Sequence, residues 1–218
     1  MEAIYNDGSI SPGHTPTPGG FTLYSLGPTD LSKGTEVTFS YSAYFEKGFE
    51  FNLGGKMPGL YGGIDDKVAT ECSGGNHNPA CWSTRLMWRQ NGLGELYAYL
   101  PQRTSNAVAF ANTPPKTVSN EAYGNSVGRG AFTWATGEWT HVAQRVKLND
   151  IGSANGEIEV YANGKSVIKV TGLTFRTDQN SLVRGAQIQT FFGGHTAEWA
   201  SPKTQRAYFK DFSAAVIA

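Results

Sequence analysis

Lys56 stands in "FNLGGKMPGLYGG", residues 51 to 63, a long cation between two glycine pairs with a Met-Pro step directly after it. Glycine lets another molecule approach the backbone closely. This lysine is therefore either an ordinary solvated loop residue or a charge held out toward a ligand. A second group of reactive types follows in "WSTRLMWRQNGLGELYAYLP", residues 82 to 101, which reads as strand, Asn-Gly-containing turn, strand. Period-2 alternation puts Ser83, Arg85, Met87 and Arg89 on one face of the first strand, and Tyr97 and Tyr99 on one face of the second. With the turn centred near Gly92, Arg85 is expected opposite Tyr99 and Met87 opposite Tyr97. Cross-strand neighbours lie about 4.5–5.5 Å apart at Cβ, so these groups could address one ligand. The opposite face, with Trp82, Thr84, Leu86, Trp88, Leu96, Ala98 and Leu100, has the composition of a core. A half-exposed hairpin carrying tyrosines on its wet side would give the same pattern.

A lysine, an arginine and paired tyrosines, without paired catalytic carboxylates, suit elimination better than hydrolysis. In a 4-linked uronic acid the proton on carbon 5 is weakly acidic because it lies alpha to the carboxylate. Removing it places further negative charge on the carboxyl group, which must be neutralised while the leaving oxygen at carbon 4 is protonated. The planar fork of arginine matches a carboxylate, and stabilising developing charge is usually the largest catalytic contribution. Tyrosine can donate or accept a proton, and lysine can act as a base once its pKa is lowered by desolvation and a nearby cation such as Arg85.

The elements that position these residues are strands. "EVTFSYSAYF" alternates Val37, Phe39 and Tyr41 with Glu36, Thr38, Ser40 and Ser42. "EIEVYANGKSVIKV" is a hairpin signal, with Asn163-Gly164 supplying the positive φ angles of a two-residue turn. "EWTHVAQRVKL" and "RAYFKDFSAAVIA" also read as strands, and no segment of ten or more residues carries a convincing helical stripe. Short strands separated by Gly/Asn/Asp turns predict an all-β fold, a two-sheet antiparallel β-sandwich. Such sandwiches often carry one curved sheet whose concave face forms a groove.

Composition agrees. The chain has 218 residues, 27 of them glycine, 12% aromatic and only three methionine. That length suits one domain over residues 1–218, and no linker or repeat divides it. Lysine plus arginine equals aspartate plus glutamate at 18 each, so no global field attracts an anionic polymer. A nucleic-acid partner is not expected. No apolar run is long enough to span a membrane. Cys72 and Cys81 flank a Gly/Asn/Pro loop, "ECSGGNHNPAC", and are expected to form a loop-closing disulfide, which favours an oxidising compartment. Two cysteines and the intervening His77 fit no usual zinc spacing. The opening "MEAIYNDG" shows no leader, and a secreted protein read from its mature end would look the same. A secreted monomer is the expectation, since no self-complementary patch is visible.

The motifs "GGKMPGLYGG", "STRLMW", "ELYAYLP", "QTFFGGHTAEWASP" and "YFKDF" together resemble the family 14 polysaccharide lyases, alginate and glucuronan lyases with a β-jelly-roll fold. The resemblance runs from about residue 50 to residue 212. It implies a catalytic cleft lined by a lysine after a glycine pair, a Ser-x-Arg and a Tyr-x-Tyr. Those positions are Lys56, Ser83, Arg85, Tyr97 and Tyr99 here. It also implies Lys56 at the centre of proton transfer with tyrosine as partner, no required cofactor or metal, and an anionic polysaccharide substrate. His77 resembles a further cleft position.

From the residues alone, Gln187 and Gln189 in "AQIQTFF" share one face and could bond a sugar or face solvent. His195 in "FFGGHTAEW" is either a cleft residue or a turn histidine. Tyr208 is either a third phenol near the cleft or part of the core. Asp65 and Asp66 either bind calcium or are solvated. Two other function classes compete with a lyase. A non-catalytic carbohydrate-binding sandwich would use the same groove, whereas a sandwich glycosidase needs two carboxylates that no strand motif here supplies.

Overall fold

The alternating segments of the sequence fold as strands. The computed structural model describes residues 1–12 and 14–218. Its strands are β1 (Glu2–Tyr5), β2 (Phe21–Ser25), β3 (Glu36–Phe45), β4 (Gly54–Gly63), β5 (Cys81–Arg89), β6 (Leu93–Tyr99), β7 (Asn125–Thr133), β8 (Trp139–Lys147), β9 (Gly156–Ala162), β10 (Lys165–Leu173), β11 (Leu182–Phe192) and β12 (Gln205–Val216). They form two six-stranded antiparallel sheets, in the orders β1-β12-β3-β8-β9-β10 and β2-β11-β4-β5-β6-β7. This is the sandwich that the alternation implies. Asn163 and Gly164, with φ of 48° and 78°, turn β9 into β10 as expected. Among the described residues no helix is long and apolar enough to cross a membrane.

The core lies between the sheets. Val37, Phe39 and Tyr41 of β3 meet Trp82, Leu86 and Trp88 of β5 and Leu96 and Ala98 of β6 in one buried cluster. The other face of β5 and β6 carries Arg85, Met87, Glu95, Tyr97 and Tyr99. Side-chain alternation thus divides one hairpin between core and site.

Of the two readings of Lys56, the solvated-loop one does not hold, because its glycine-rich segment is β4. Glycine and proline normally weaken a strand, but here the large neighbours explain them. The indole of Trp88 lies where a Cβ on Gly55 would be, at 1.9 Å, and the indole of Trp82 lies over Gly62 at 2.4 Å. Pro58 sits at a bulge, between Met57 paired with Leu86 and Gly59 paired with Arg85. Proline's missing N–H costs nothing in an interrupted ladder. The β5–β6 register also differs: Arg85 faces Tyr97, Ser83 faces Tyr99 and Met87 faces Glu95. The turn centres on Asn91, which itself takes a positive φ of 60°. A one-residue move of the turn shifts each partner by two and leaves every side chain on its expected face.

Short helices α1 (Asp66–Ala69) and α2 (Thr104–Ala111) occupy connections. Asp65 caps α1 by accepting from the Val68 N–H at 2.8 Å, and Asp66 lies 3.5 Å from Arg184. Both acids thus have structural partners. Tyr208 lies in the other sheet beside Tyr44, with ring centroids 6.1 Å apart, away from the cleft.

Cys72 and Cys81 are disulfide-bonded, as the loop composition implies. The bond ties the segment before β5 to its first residue, beneath Tyr99. Replacing both cysteines with serine is expected to lower stability by about 2–3 kcal/mol, the usual value for a loop of roughly ten residues. Chemical denaturation would measure it.

Candidate active site

The bulge at Pro58 decides where Lys56 points. It places Lys56 opposite Met87 and, three residues on, Gly59 opposite Arg85. Lys56 therefore shares the face of Arg85, which simple alternation across Pro58 would not give. The other sheet holds this bulge from behind. Tyr41 Oη donates to the Pro58 carbonyl at 3.2 Å. Buried Gln144 of β8 accepts from the Leu60 N–H at 3.3 Å and donates to the Thr84 carbonyl. Backbone groups that the bulge removes from the ladder are thereby satisfied inside the core.

Above this floor lies a cavity of about 710 Å³ whose lining includes Lys56, Arg85, Arg89, Tyr97, Tyr99, Gln189 and His195. Lys56 Nζ lies 3.5 Å from the centroid of the Tyr97 ring and 3.1 Å from Met87 Sδ. A ring face and a thioether are poor substitutes for water around an ammonium. Desolvation, with repulsion from Arg85 and Arg89, holds the Lys56 pKa well below its ordinary value, and Glu95 opposes the shift. Among the described residues no carboxylate forms a salt bridge with Lys56.

Arg85 is buried at the cavity floor, with its guanidinium carbon 5.6 Å and 5.4 Å from the Tyr97 and Tyr99 ring centroids. Nη1 donates to Gln189 Oε1 at 2.7 Å, while Nε and Nη2 have no partner among the described residues. Burial lowers the Arg85 pKa, against the pull of Tyr99, Tyr97 and Tyr24; the group remains a cation at any ordinary pH. Gly59 makes room for it, since a Cβ there would lie 2.4 Å from Arg85 Cα. Tyr97 and Tyr99 meet edge to face at 5.6 Å. Tyr97 Oη accepts from Gly124 N–H at 3.2 Å, and Tyr99 Oη accepts from Gly75 N–H at 3.0 Å. Burial, reinforced by Tyr99, pushes the Tyr97 phenol well above the ordinary 10.0, outweighing Arg85 and the Gly124 contact. Tyr97 is thus held protonated.

Lys56, Arg85, Tyr97, Tyr99, Gln189 and His195 come together as the sequence suggests. His195 is exposed at the rim, with its ring 6.2 Å from that of Tyr123. Two expected substrate contacts lie behind the lining instead. Ser83 Oγ donates to the Cys72 carbonyl at 2.7 Å, which anchors the disulfide loop, and His77 packs its ring 5.2 Å from Tyr99. Both brace Tyr99 and its loop.

Two residues of the site escape sequence reasoning, Tyr24 in the lining and Glu95 buried outside it. Gln187 Nε2 donates to Tyr24 Oη at 3.1 Å, and Tyr24 comes from the distant β2. Glu95, fully buried, bonds Arg89 and Arg129. Its place two residues before Tyr97 on the same strand face is a signal that alternation could have used.

The polysaccharide lyase 14 family model matches residues 1–212. No curated protein matches the chain by sequence. The crystal structure of a marine PL-14 alginate lyase from Aplysia kurodai is similar, at 33% identity and a TM-score of 0.84, over 99% of this chain and 82% of that one. An alginate lyase from Chlorella virus shares 26% identity at a TM-score of 0.78, over 98% of this chain and 83% of that one. An endo-β-1,4-glucuronan lyase from Trichoderma reesei, at 11% identity and a TM-score of 0.59, covers 99% of this chain and 79% of its own and shares the fold. With the family model spanning nearly its whole length and a one-third-identical relative superposing on both sheets, the chain belongs to polysaccharide lyase family 14.

Proposed function

We propose that the protein cleaves 1,4-linked polyuronates, glucuronan or mannuronate-rich alginate, by β-elimination. One observation carries this assignment. Buried Arg85 keeps two unanswered N–H donors beside a lysine whose surroundings favour the neutral amine. Buried donors normally have partners, and a uronate carboxylate supplies two acceptor oxygens of the right charge and shape.

In the proposed step Arg85 binds the carboxylate of the reacting sugar and stabilises the charge that develops on it. Neutral Lys56 takes the carbon-5 proton. The electron pair left behind forms the double bond between carbons 4 and 5 as the bond to the carbon-4 oxygen breaks. Tyr97, protonated, gives its proton to that oxygen. Transfer from the Lys56 ammonium to the Tyr97 phenoxide restores both groups. The products are a new non-reducing end with an unsaturated uronide and an intact reducing end. Gln189 fixes Arg85, while Ser83 and His77 support Tyr99. No cofactor takes part in this scheme. The disulfide and a polymeric substrate favour an extracellular setting for the protein.

The test is ultraviolet absorbance of the unsaturated product during incubation with glucuronan, alginate and pectate. Absorbance is expected to rise with glucuronan or alginate. The competing assignment, a non-catalytic binding module, expects retention on a polymer gel with no absorbance from any of the three. Within the lyase, Tyr97→Phe is expected to lower kcat by about 10²-fold, the loss of one general acid. Tyr99→Phe should cost less. Equal rates for Tyr97→Phe and the parent enzyme would assign the acid elsewhere.

A further inference from the structure

Glu95 is a fully buried carboxylate with two arginines on it. Arg89 approaches one oxygen, with Nη2 at 2.6 Å and Nε at 2.8 Å. Arg129 approaches the other, with Nε at 2.9 Å, and Ser126 Oγ donates to that same oxygen. Neutralising a buried carboxylate needs one guanidinium, and Arg89 already pairs closely. The second cation leaves the cluster with a net charge of +1.

The chain makes a specific detour to deliver it. Gly94 pairs with Phe132 and Leu96 with Val127, so residues 128–131 of β7 bulge out opposite the single residue Glu95. Gly128 and Gly130, at φ of 64° and 86°, bracket Arg129. Such angles are readily available only to glycine. "GRG" thus turns one arginine out of the ladder and onto the cleft side. Arg89, Ser126 and Arg129 all line the same cavity as Lys56 and Arg85. The Nη1 groups of Arg89 and Arg129 have no hydrogen-bond partner among the described residues, and Arg129 keeps 27% of its side chain exposed. Arg85 and Arg89 flank one ring, with guanidinium carbons 5.6 Å and 6.0 Å from the Tyr97 centroid. Arg85 is held by Gln189 and Arg89 by Glu95, so the two guanidiniums belong to separate bonded groups of the cavity lining.

We infer that Arg89 and Arg129, tied together by Glu95, form a second carboxylate subsite that takes the acid group of a neighbouring uronate, so that the cleft reads two acidic sugars rather than one. This inference rests on the polyuronate substrate proposed above. It gives the enzyme a preference for consecutive uronates over an isolated uronate among neutral sugars. Glu95 acts as the positioning residue, holding both forks at the cleft floor.

The test uses Arg129→Gln and Arg129→Lys, which leave the Arg89–Glu95 pair in place. Initial rates are measured on a homopolyuronate and on the same polymer after partial methyl esterification, at several salt concentrations. Retention on a polyuronate gel is measured in a Lys56→Ala background, where turnover does not interfere. Arg129→Gln is expected to raise KM about tenfold, equivalent to about 1.4 kcal/mol, with kcat within about twofold. It should also weaken gel retention, flatten the salt dependence and reduce discrimination against the esterified polymer. Arg129→Lys, keeping charge without the fork, should recover part of the loss. Unchanged KM and retention in a folded Arg129→Gln protein would overturn the subsite while leaving the lyase assignment intact. Weaker retention together with no product from the parent enzyme would uphold the subsite and reject the lyase assignment. Should Arg129→Gln fail to fold, parent-like KM and retention in Arg129→Lys overturn the subsite, and an intermediate shift upholds it.

Discussion

Lys56→Ala is expected to lower kcat on a polyuronate by about 10³- to 10⁴-fold, the upper range for loss of a general base. Lys56 combines a proton-accepting form favoured by its surroundings with contact to the Tyr97 ring. The pH profile carries the same expectation. A lysine held well below the ordinary 10.5 becomes a free base as pH rises through its lowered pKa, so the rate climbs there. Tyr97, raised above the ordinary 10.0, stays a proton donor past the usual phenol range. The profile should therefore rise on the Lys56 limb and hold a plateau into alkaline pH. Stability should rise with pH as activity does. Between the lowered pKa and 10.5 the unfolded chain binds more protons at this site than the folded one, so Lys56 makes stability increase with pH across that window. Lys56→Met removes this slope and places an apolar chain beside Met87. A gain of about 1 kcal/mol at neutral pH is expected, or about 2–4 °C in Tm for a chain of this size. An inactive but more stable protein would identify the loss as chemical. A Lys56→Met protein that keeps parent-like turnover would remove Lys56 from the mechanism.

The sandwich and one wall of the site are legible in the sequence because alternation is a local property. The β5–β6 face follows from side-chain period alone, and it survives even a register shift since the turn moved by a whole residue. What alternation cannot supply is contact across distant strands. The strand nature of β4 depends on two indoles filling the space above Gly55 and Gly62, and nothing within "GGKMPGLYGG" announces them. The bulge at Pro58 depends on Tyr41 and Gln144 reaching through the core from the other sheet. Ser83 and His77 belong to the right neighbourhood, yet the disulfide loop turns their polar atoms away from the cavity. Residue type and strand face therefore nominate candidates, and only packing separates a lining group from one that braces it. Glu95 is the converse case, a carboxylate on the expected face whose role depends on an arginine thirty-four positions away.

Arg85→Lys is expected to reduce kcat/KM on a polyuronate by about 10²- to 10³-fold, comparable to losing a principal donor to a developing oxyanion. Lysine preserves the charge but has neither the planar fork nor the reach to bond Gln189 and a carboxylate together. The loss should fall mainly on kcat, because the carboxyl group gains charge only as the carbon-5 proton leaves. Methyl esterification supplies the control. An ester already carries no ground-state charge and offers a poorer match to the fork, so the gap between parent and Arg85→Lys should narrow on an esterified oligomer. An equal loss on both substrates would make Arg85 a structural support for the tyrosine pair. Arg85→Met separates these cases in the folded protein. Among the described residues, two of the three guanidinium nitrogens have no partner and no carboxylate pairs with the cation. Replacing this buried charge with an apolar chain of similar length should leave stability unchanged or raise it, as for other buried ionic groups exchanged for packed hydrophobes. A cation that the fold tolerates at a cost, buried in the lining of a cavity with donors left unpartnered, is best explained by the anion that comes to meet it.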